Sequence, residues 1–394
     1  MTLTDFSVQP IHVIVISSVR PELTSAGQII LYRHLVNQPG ITLEVCGTEP
    51  QGPTLSRLIR RIAGRLGKTR LHRFIEDFWV LWSGRWMDPE LPQIIAAPER
   101  TIVLTVAHGD GFMAAKRFAH RHQLPLVSIF HDWWPDMVEA HGPAKQLADE
   151  KFRELARQSA ISLCVCEGMR KALGTLANSA ILPPLSAELA PVETPANVPG
   201  APYKILYSGN LFDYGPMLGD ALEESLKHPE TLLQVRGANP AWSGERKAKM
   251  RANGRWLDFA PRAELDAWLA SADAFLIPMV FAPAMRRRME TSFPSKLIEF
   301  AQFGKPLIIW GPEYCSAVQW ARQGDKALCV TDSDPRSVVQ CLLKIRSNPD
   351  RIVTYAEKAK QAAIEEFNPH EIQRRFREVI HSLDVPRNPS FETM

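Results

Sequence analysis

The stretch SFPSKLIEFAQFGKPLII, residues 292–309, places Lys296 and Glu299 three residues apart on one face of a short helix. Gly304 and Pro306 end that helix, and residues 307–309 read as a buried strand. A cation in the first turn of a helix is unfavourable by itself, because the helix dipole is positive there. It makes sense where an anion, above all a phosphate, sits against the unpaired backbone N–H groups. The bland alternative is a surface Lys–Glu pair, worth well under ~1 kcal/mol.

Two histidines stand out next. His108 closes the apolar run TIVLTVAH, and His131 closes LPLVSIFHD. At the carboxyl ends of consecutive strands both would face a ligand crevice; singly, each would read as an interior hydrogen-bonded residue. Between them, Gly109-Asp110-Gly111-x-x-Ala114, with Asp132 beyond the next strand, approaches a dinucleotide-binding fingerprint. Its position at an internal strand, and the bulky HDWWPD around Asp132, weigh against a nicotinamide or flavin enzyme. No GxSxG elbow and no metal-ligand spacing is evident, so neither a catalytic metal nor a bound cofactor is expected.

A third feature is charge. Seven Lys/Arg fall between Arg57 and Arg73 without an acid, Arg57, Arg60 and Arg61 among them, opposite an apolar face of Leu55, Leu58, Ile59, Ile62 and Leu66. Trp79, Trp82 and Trp86 follow at spacings of three and four. A basic amphipathic helix beside interfacial aromatics suits an anionic membrane surface. A solvated basic face, with the tryptophans in the core, explains the pattern equally well. Nucleic acid is not expected, since no recognition motif accompanies the charge.

These residues need a scaffold. Continuous β-branched runs at 11–18, 41–47, 101–108, 124–132 and 161–167 suit strands buried on both faces, with helical stretches between them. The proline-rich, aperiodic segment 186–202 is a linker. Strand signals resume at 203–210, 231–237, 274–279, 306–311 and 327–332. The expected organisation is therefore α/β. One Rossmann-like domain spans 1–185, the linker 186–202, and a second domain 203–394, whose last helix is placed to pack back on the first; a cleft is expected between the two. The length of 394 residues suits two domains. A net charge of +3 is mildly basic and says little unless the charge is clustered, and six scattered cysteines suit a reduced, cytoplasmic chain. The first ten residues do not resemble a signal peptide, and no apolar run is long enough to span a membrane.

Taken together, the two halves resemble the GT-B glycosyltransferases, specifically the retaining family-4 enzymes. In the second half YSGNLFDYG, LQVRGANP, WLDFAPRAELDAWLASADAFLIPM and FPSKLIEFAQFGKPLII carry the resemblance; in the first, SSVRPELTSAGQ and FHDWWPDM do. The resemblance implies that Gly27 faces a diphosphate and His131 the transferred sugar. Gly209 and Asn210 would lie in the donor loop, Lys296 would meet the phosphates and Glu299 the ribose hydroxyls, with Ser295 a further donor-binding residue. It implies a hexosyl transfer from a nucleoside-diphosphate sugar with retention, the leaving phosphate accepting the acceptor's proton, and domain closure about the linker.

Two departures from the family pattern bear on this. The first of the family's two glutamates falls at Thr291, with Glu290 one residue off. The donor loop lacks its Arg and Lys, so either Lys296 carries more phosphate charge or the run MRRRM (Arg286, Arg287 and Arg288) supplies it, Arg288 being counted among the donor-binding candidates; that run suits a solvated loop equally well. The acceptor implied is a glycan or lipid-linked group in cell-surface polysaccharide synthesis, approached at the inner membrane face through Arg57, Arg60, Arg61, Trp82 and Trp134. Trp133 and Trp134 would stack on a sugar or lipid, or belong to the core. A sugar-nucleotide 2-epimerase of the same fold and an inactive nucleotide-sugar-binding scaffold are the competing readings.

Overall fold

A computed structural model describes residues 10–46, 62–66, 68–86, 100–109, 111–187, 200–238 and 240–383. The chain forms two compact units, Met1–Pro183 with Gln373–Met394, and Pro184–Ile372. Most of the 186–202 segment lies outside the described residues.

The first unit is built on a parallel six-stranded sheet. Its strands are β1 (Ile11–Ile16), β2 (Ile41–Cys46), β3 (Thr101–Val106), β4 (Leu126–Phe130), β5 (Ile161–Cys164) and β6 (Ser179–Ile181), in the order β2-β1-β3-β4-β5-β6. β3 and β4 are buried at every residue, as continuous apolar runs require when helices cover both faces. β1 pairs with β2 on one side and with β3 on the other, so the chain reverses its direction of travel across the sheet between β1 and β3. Open α/β sheets bind ligands at such a switch point, outside the carboxyl ends of the strands.

The last helix, Pro369–His381, belongs to this unit from Gln373 onward. Asn368 starts it by accepting from the His370 and Glu371 amides at 3.0 and 3.3 Å. Ile372, Phe376 and Ile380, at spacings of four, are fully buried. Within the first unit, Phe376 meets the His34 ring at 4.6 Å, while Gln373 exchanges two hydrogen bonds with His34, Nδ1 to Oε1 at 2.8 Å and Nε2 to the carbonyl at 2.9 Å. Each such buried apolar side chain stabilises by roughly 1.5–3 kcal/mol, which is what ties this C-terminal stretch down.

The second unit repeats the scheme. Its strands are β7 (Tyr203–Ser208), β8 (Thr231–Arg236), β9 (Trp256–Leu257), β10 (Ala274–Pro278), β11 (Leu307–Trp310) and β12 (Leu328–Val330), all parallel, in the order β12-β11-β10-β7-β8-β9. Here the switch point lies between β7 and β10. The helix Ser295–Ala301, between β10 and β11, buries Leu297, Ile298, Phe300 and Ala301. Phe300 stacks on Phe275 of β10 at 4.5 Å. Gly304, at φ 59°, turns the chain out of this helix, a conformation that a Cβ disfavours.

Candidate functional site

In the first unit, a cavity of about 380 Å³ opens at the switch point. The loop after β1 lines it with Ser18, Gly27 and Gln28, the end of β3 with His108, and the end of β4 with His131 and Asp132. Gly27 and His131 thus share one cavity, and His108 joins them. A Cβ on Gly27 would meet only Val19, at 3.9 Å, so this glycine is not forced by crowding. Burial lowers the pKa of both His108 and His131, and the Asp132 carboxylate offsets this in part. Both rings are therefore neutral at pH 7, each with one donor and one acceptor nitrogen. Such a polar cavity can position hydroxyl groups.

Gly109 and Gly111 have a different explanation from a pyrophosphate cradle. Gly109 takes φ 65°. The Gly111 amide, opening the helix Gly111–Arg121, donates to Ser18 Oγ at 2.9 Å, and a Cβ there would lie 2.4 Å from the Ser18 backbone nitrogen. The glycine seats the helix against the β1 loop, and the amide that would meet a phosphate is already taken.

The tryptophans divide. Trp133 is 1% exposed, donates to Asp149 Oδ1 at 2.8 Å, and lies under the Arg153 guanidinium at 4.8 Å; it is core. Trp134 is half-buried against Phe112, ring centroids 5.4 Å apart. Arg57, Arg60 and Arg61 lie outside the described residues, as does the side chain of Trp82. In the helix His72–Trp86 that carries Trp82, Val80 packs on Val138, Ala140, Ala144 and Ala148. Asp77 accepts from the His141 backbone amide at 2.7 Å and meets that ring at 2.5 Å. Phe74 and Leu81 of the same helix are 61% and 52% exposed.

In the second unit the predicted residues lie in the segments that follow β7 and β10. Glu299 is 15% exposed and held by two cations: Lys296 Nζ donates to Oε2 at 2.6 Å, and Arg262 Nη1 stands 3.5 Å from Oε1. Arg262, just after β9, is fixed in turn by Asp266 at 2.8 Å. Lys296 also lies 5.9 Å from the Phe300 ring. Residues 295, 296 and 299 share the face of the helix that its buried residues leave open, and Ser295 begins the helix with no side-chain cap at Pro294. Gly209 lies in the loop after β7, where Asn210 Oδ1 accepts the Phe212 amide at 3.0 Å and so shapes the turn rather than projecting a charge. A Cβ on Gly237 would fall 2.0 Å from the Gly209 carbonyl oxygen, so the loops after β7 and β8 meet backbone to backbone.

Arg288 sits on the helix Arg286–Thr291 and pairs with Asp213 of the β7 loop at 3.1 Å. Thr291 is fully buried, its hydroxyl donating to the Arg287 carbonyl at 2.8 Å, and Glu290 is paired with Arg286 at 2.8 Å. Sequence reasoning missed Arg262 and Asp213. Each is paired with a residue distant in the chain, and no local pattern marks such a pairing.

Neither a protein-family model nor a curated protein matches the sequence. Solved structures do match in shape. Sucrose-phosphate synthase from Thermosynechococcus elongatus superposes with a TM-score of 0.61 at 11% identity, over 94% of this chain and 98% of that one. Anabaena HepE in complex with UDP gives 0.60 at 12% identity, over 95% and 100%. A glycosyltransferase from Rickettsia africae gives 0.59 at 13%, over 95% and 98%. At these identities the likeness establishes the fold. The chain has the GT-B architecture of two Rossmann-like units, as the sequence motifs suggested.

Proposed function

We propose that the protein is a glycosyltransferase that takes a sugar from a nucleoside-diphosphate donor, with retention at the anomeric carbon in the manner of family 4. The observation that carries this is Glu299, a largely buried carboxylate flanked by Lys296 and Arg262 beside the second unit's switch point. A carboxylate so placed accepts a pair of ribose hydroxyls, and the adjacent cation stabilises the leaving diphosphate without a metal. Structures of the same fold in complex with UDP and with UDP-glucose support the reading. We assign the first unit's own cavity, lined by His131 and Gly27, to the hydroxyl groups of a sugar.

For the acceptor we propose a glycan or lipid-linked group of cell-surface polysaccharide, presented at an anionic cytoplasmic membrane surface. Among the described residues no helix is long and apolar enough to cross a membrane. The exposed Phe74 and Leu81, beside a basic run, support adsorption instead. The double variant Phe74→Asp, Leu81→Asp is expected to lose co-sedimentation with phosphatidylglycerol vesicles while keeping its nucleotide affinity; retained sedimentation removes this part of the proposal.

The buried Thr291 and the paired Glu290 favour, as a second reading, a protein that binds the donor without transferring its sugar. One experiment separates these readings. The chain is screened by calorimetry against UDP, GDP, ADP and their sugars in chelator, and the bound donor is then followed for sugar release. Binding with transfer or hydrolysis, and no epimer formed, supports the glycosyltransferase. Binding without turnover supports the scaffold, and an epimerised donor the 2-epimerase. Failure to bind any of these nucleotides overturns all three.

A further inference from the structure

The loop after β7 and the helix Arg286–Thr291, which follows β10, stand on the two sides of the second unit's switch point. An ion pair joins them: Arg288 Nη1 donates to Asp213 Oδ2 at 3.1 Å, and the two side chains are only 30% and 26% exposed. The residues between Gly209 and Gly215 include no cation. Their backbone is nonetheless fixed, by the Asn210 turn and by the contact that excludes a Cβ at Gly237. Asp213 is therefore a rigid anchor for a cation arriving from elsewhere in the chain.

The arginine run is not interchangeable. Arg286 is 63% exposed, bonded to Glu290 at 2.8 Å and laid over the Tyr314 ring at 4.6 Å. Arg288 turns to the β7 loop instead. It spends one of its five N–H groups on Asp213, and no other side-chain partner engages it among the described residues.

We propose that Arg288, positioned by Asp213, binds the phosphate chain of the donor nucleotide, supplying from the helix after β10 the cation that the β7 loop lacks. The assignment rests on the reading of this unit as the nucleotide-binding one. A guanidinium is a planar fork: a carboxylate on one edge fixes its orientation and leaves a second edge free to meet two phosphate oxygens. Asp213 subtracts charge from the crevice, so its contribution is positional. It holds a long, rotamer-rich side chain in place before the ligand arrives, which lowers the ordering cost of binding. With Lys296 as a second cation, a diphosphate would meet charge from two directions. Lys296 lies on the helix beside Glu299, and Arg288 beside the β7 loop.

The test is calorimetry on the full chain, with each nucleoside diphosphate compared with its parent nucleoside. Arg288→Gln is expected to weaken diphosphate binding by roughly 10–100-fold, the loss of a bidentate charge-assisted contact, and to leave nucleoside affinity unchanged. Arg288→Lys should recover only part of this, because an ammonium cannot fork. Asp213→Asn should cost several-fold on the diphosphate alone, and Arg286→Gln nothing. Melting curves of the Gln and Lys variants check that both fold. If Arg288→Gln stays within twofold of the parent while Glu299→Ala loses binding, the assignment to Arg288 is wrong and the nucleotide site stands. Equal losses for nucleoside and diphosphate would make Arg288 a support of the loop, which also overturns it. A parent chain that binds no nucleotide overturns both this assignment and the reading beneath it.

Discussion

Replacing Glu299 by alanine tests the nucleotide site most directly. The carboxylate is 15% exposed, with Lys296 at 2.6 Å from one oxygen and Arg262 at 3.5 Å from the other, so it is oriented before any ligand binds. A hydrogen bond to a charged acceptor contributes about 1.5–3 kcal/mol. Two ribose hydroxyls, taken at the lower figure because the flanking cations are partly exposed to water, give about 3 kcal/mol, or roughly 100-fold in Kd. Glu299→Gln keeps an acceptor but loses its charge, and should cost roughly 10-fold. The cost to stability is smaller. Lys296 and Arg262 are 29% and 49% exposed, so water solvates them once the carboxylate is gone, and the loss is about 1 kcal/mol or less.

The assay is titration of the parent and both variants with the nucleoside diphosphate and its 2′,3′-dideoxy analogue. The parent should prefer the ribonucleotide by about the factor that Glu299→Ala removes, and in that variant the preference should vanish. Equal losses for the two ligands would mean that Glu299 does not meet the ribose, and the reasoning would fail.

Other expectations follow from single residues. His131→Ala should lower turnover by about 100-fold, the scale of a misplaced reacting group, with nucleotide affinity within twofold of the parent; a parallel loss of affinity would place His131 elsewhere. Because burial lowers its pKa, the acid limb of the parent's turnover should lie below the ordinary value of 6.5, and an acid limb above it would contradict that. His34 is fully buried and its pKa is lowered to about 4, with Nε2 left unpartnered among the described residues. The unfolded chain therefore takes up the proton first as pH falls, so stability is full above 6.5 and declines toward about 4. The loss is about 3 kcal/mol, and His34→Gln should flatten it in urea titrations across that range. Gly237→Ala puts a methyl group 2.0 Å from a backbone oxygen that cannot step aside, and should cost the second unit about 3 kcal/mol in urea unfolding; an unchanged midpoint would show that the two loops separate freely.

The strands were legible because a parallel sheet covered on both faces demands uninterrupted apolar runs. Thr101–Val106 and Leu126–Phe130 are such runs, and each is found where its residues point. Ser179–Ile181 and Trp256–Leu257 gave no signal. Edge strands of three and two residues are too short for a period to show. The side-by-side placement of Lys296 and Glu299 was also legible, being a matter of helical spacing. The pairs that complete the site were not. Arg262 with Glu299, and Arg288 with Asp213, join segments that only the strand order β10-β7-β8-β9 brings to one sheet edge. Nothing local in EFAQ or in MRRRM specifies those partners.

The two glycines after β3 make the complementary point. Gly109 and Gly111 have the spacing of a phosphate loop, and at the sequence level the motif and a tight packing joint are the same letters. What separates them is the destination of one amide. In a phosphate loop the first helical N–H groups point at empty space that a pyrophosphate fills. Here Ser18 Oγ, from the loop after β1, accepts the Gly111 N–H, and the backbone of Ser18 stands where a Cβ would go. The same serine lines the cavity that contains His108 and His131. The glycine therefore does bear on the site, through packing: it lets the β1 loop and the helix Gly111–Arg121 close together, and that closure sets one wall of the cavity beside His131.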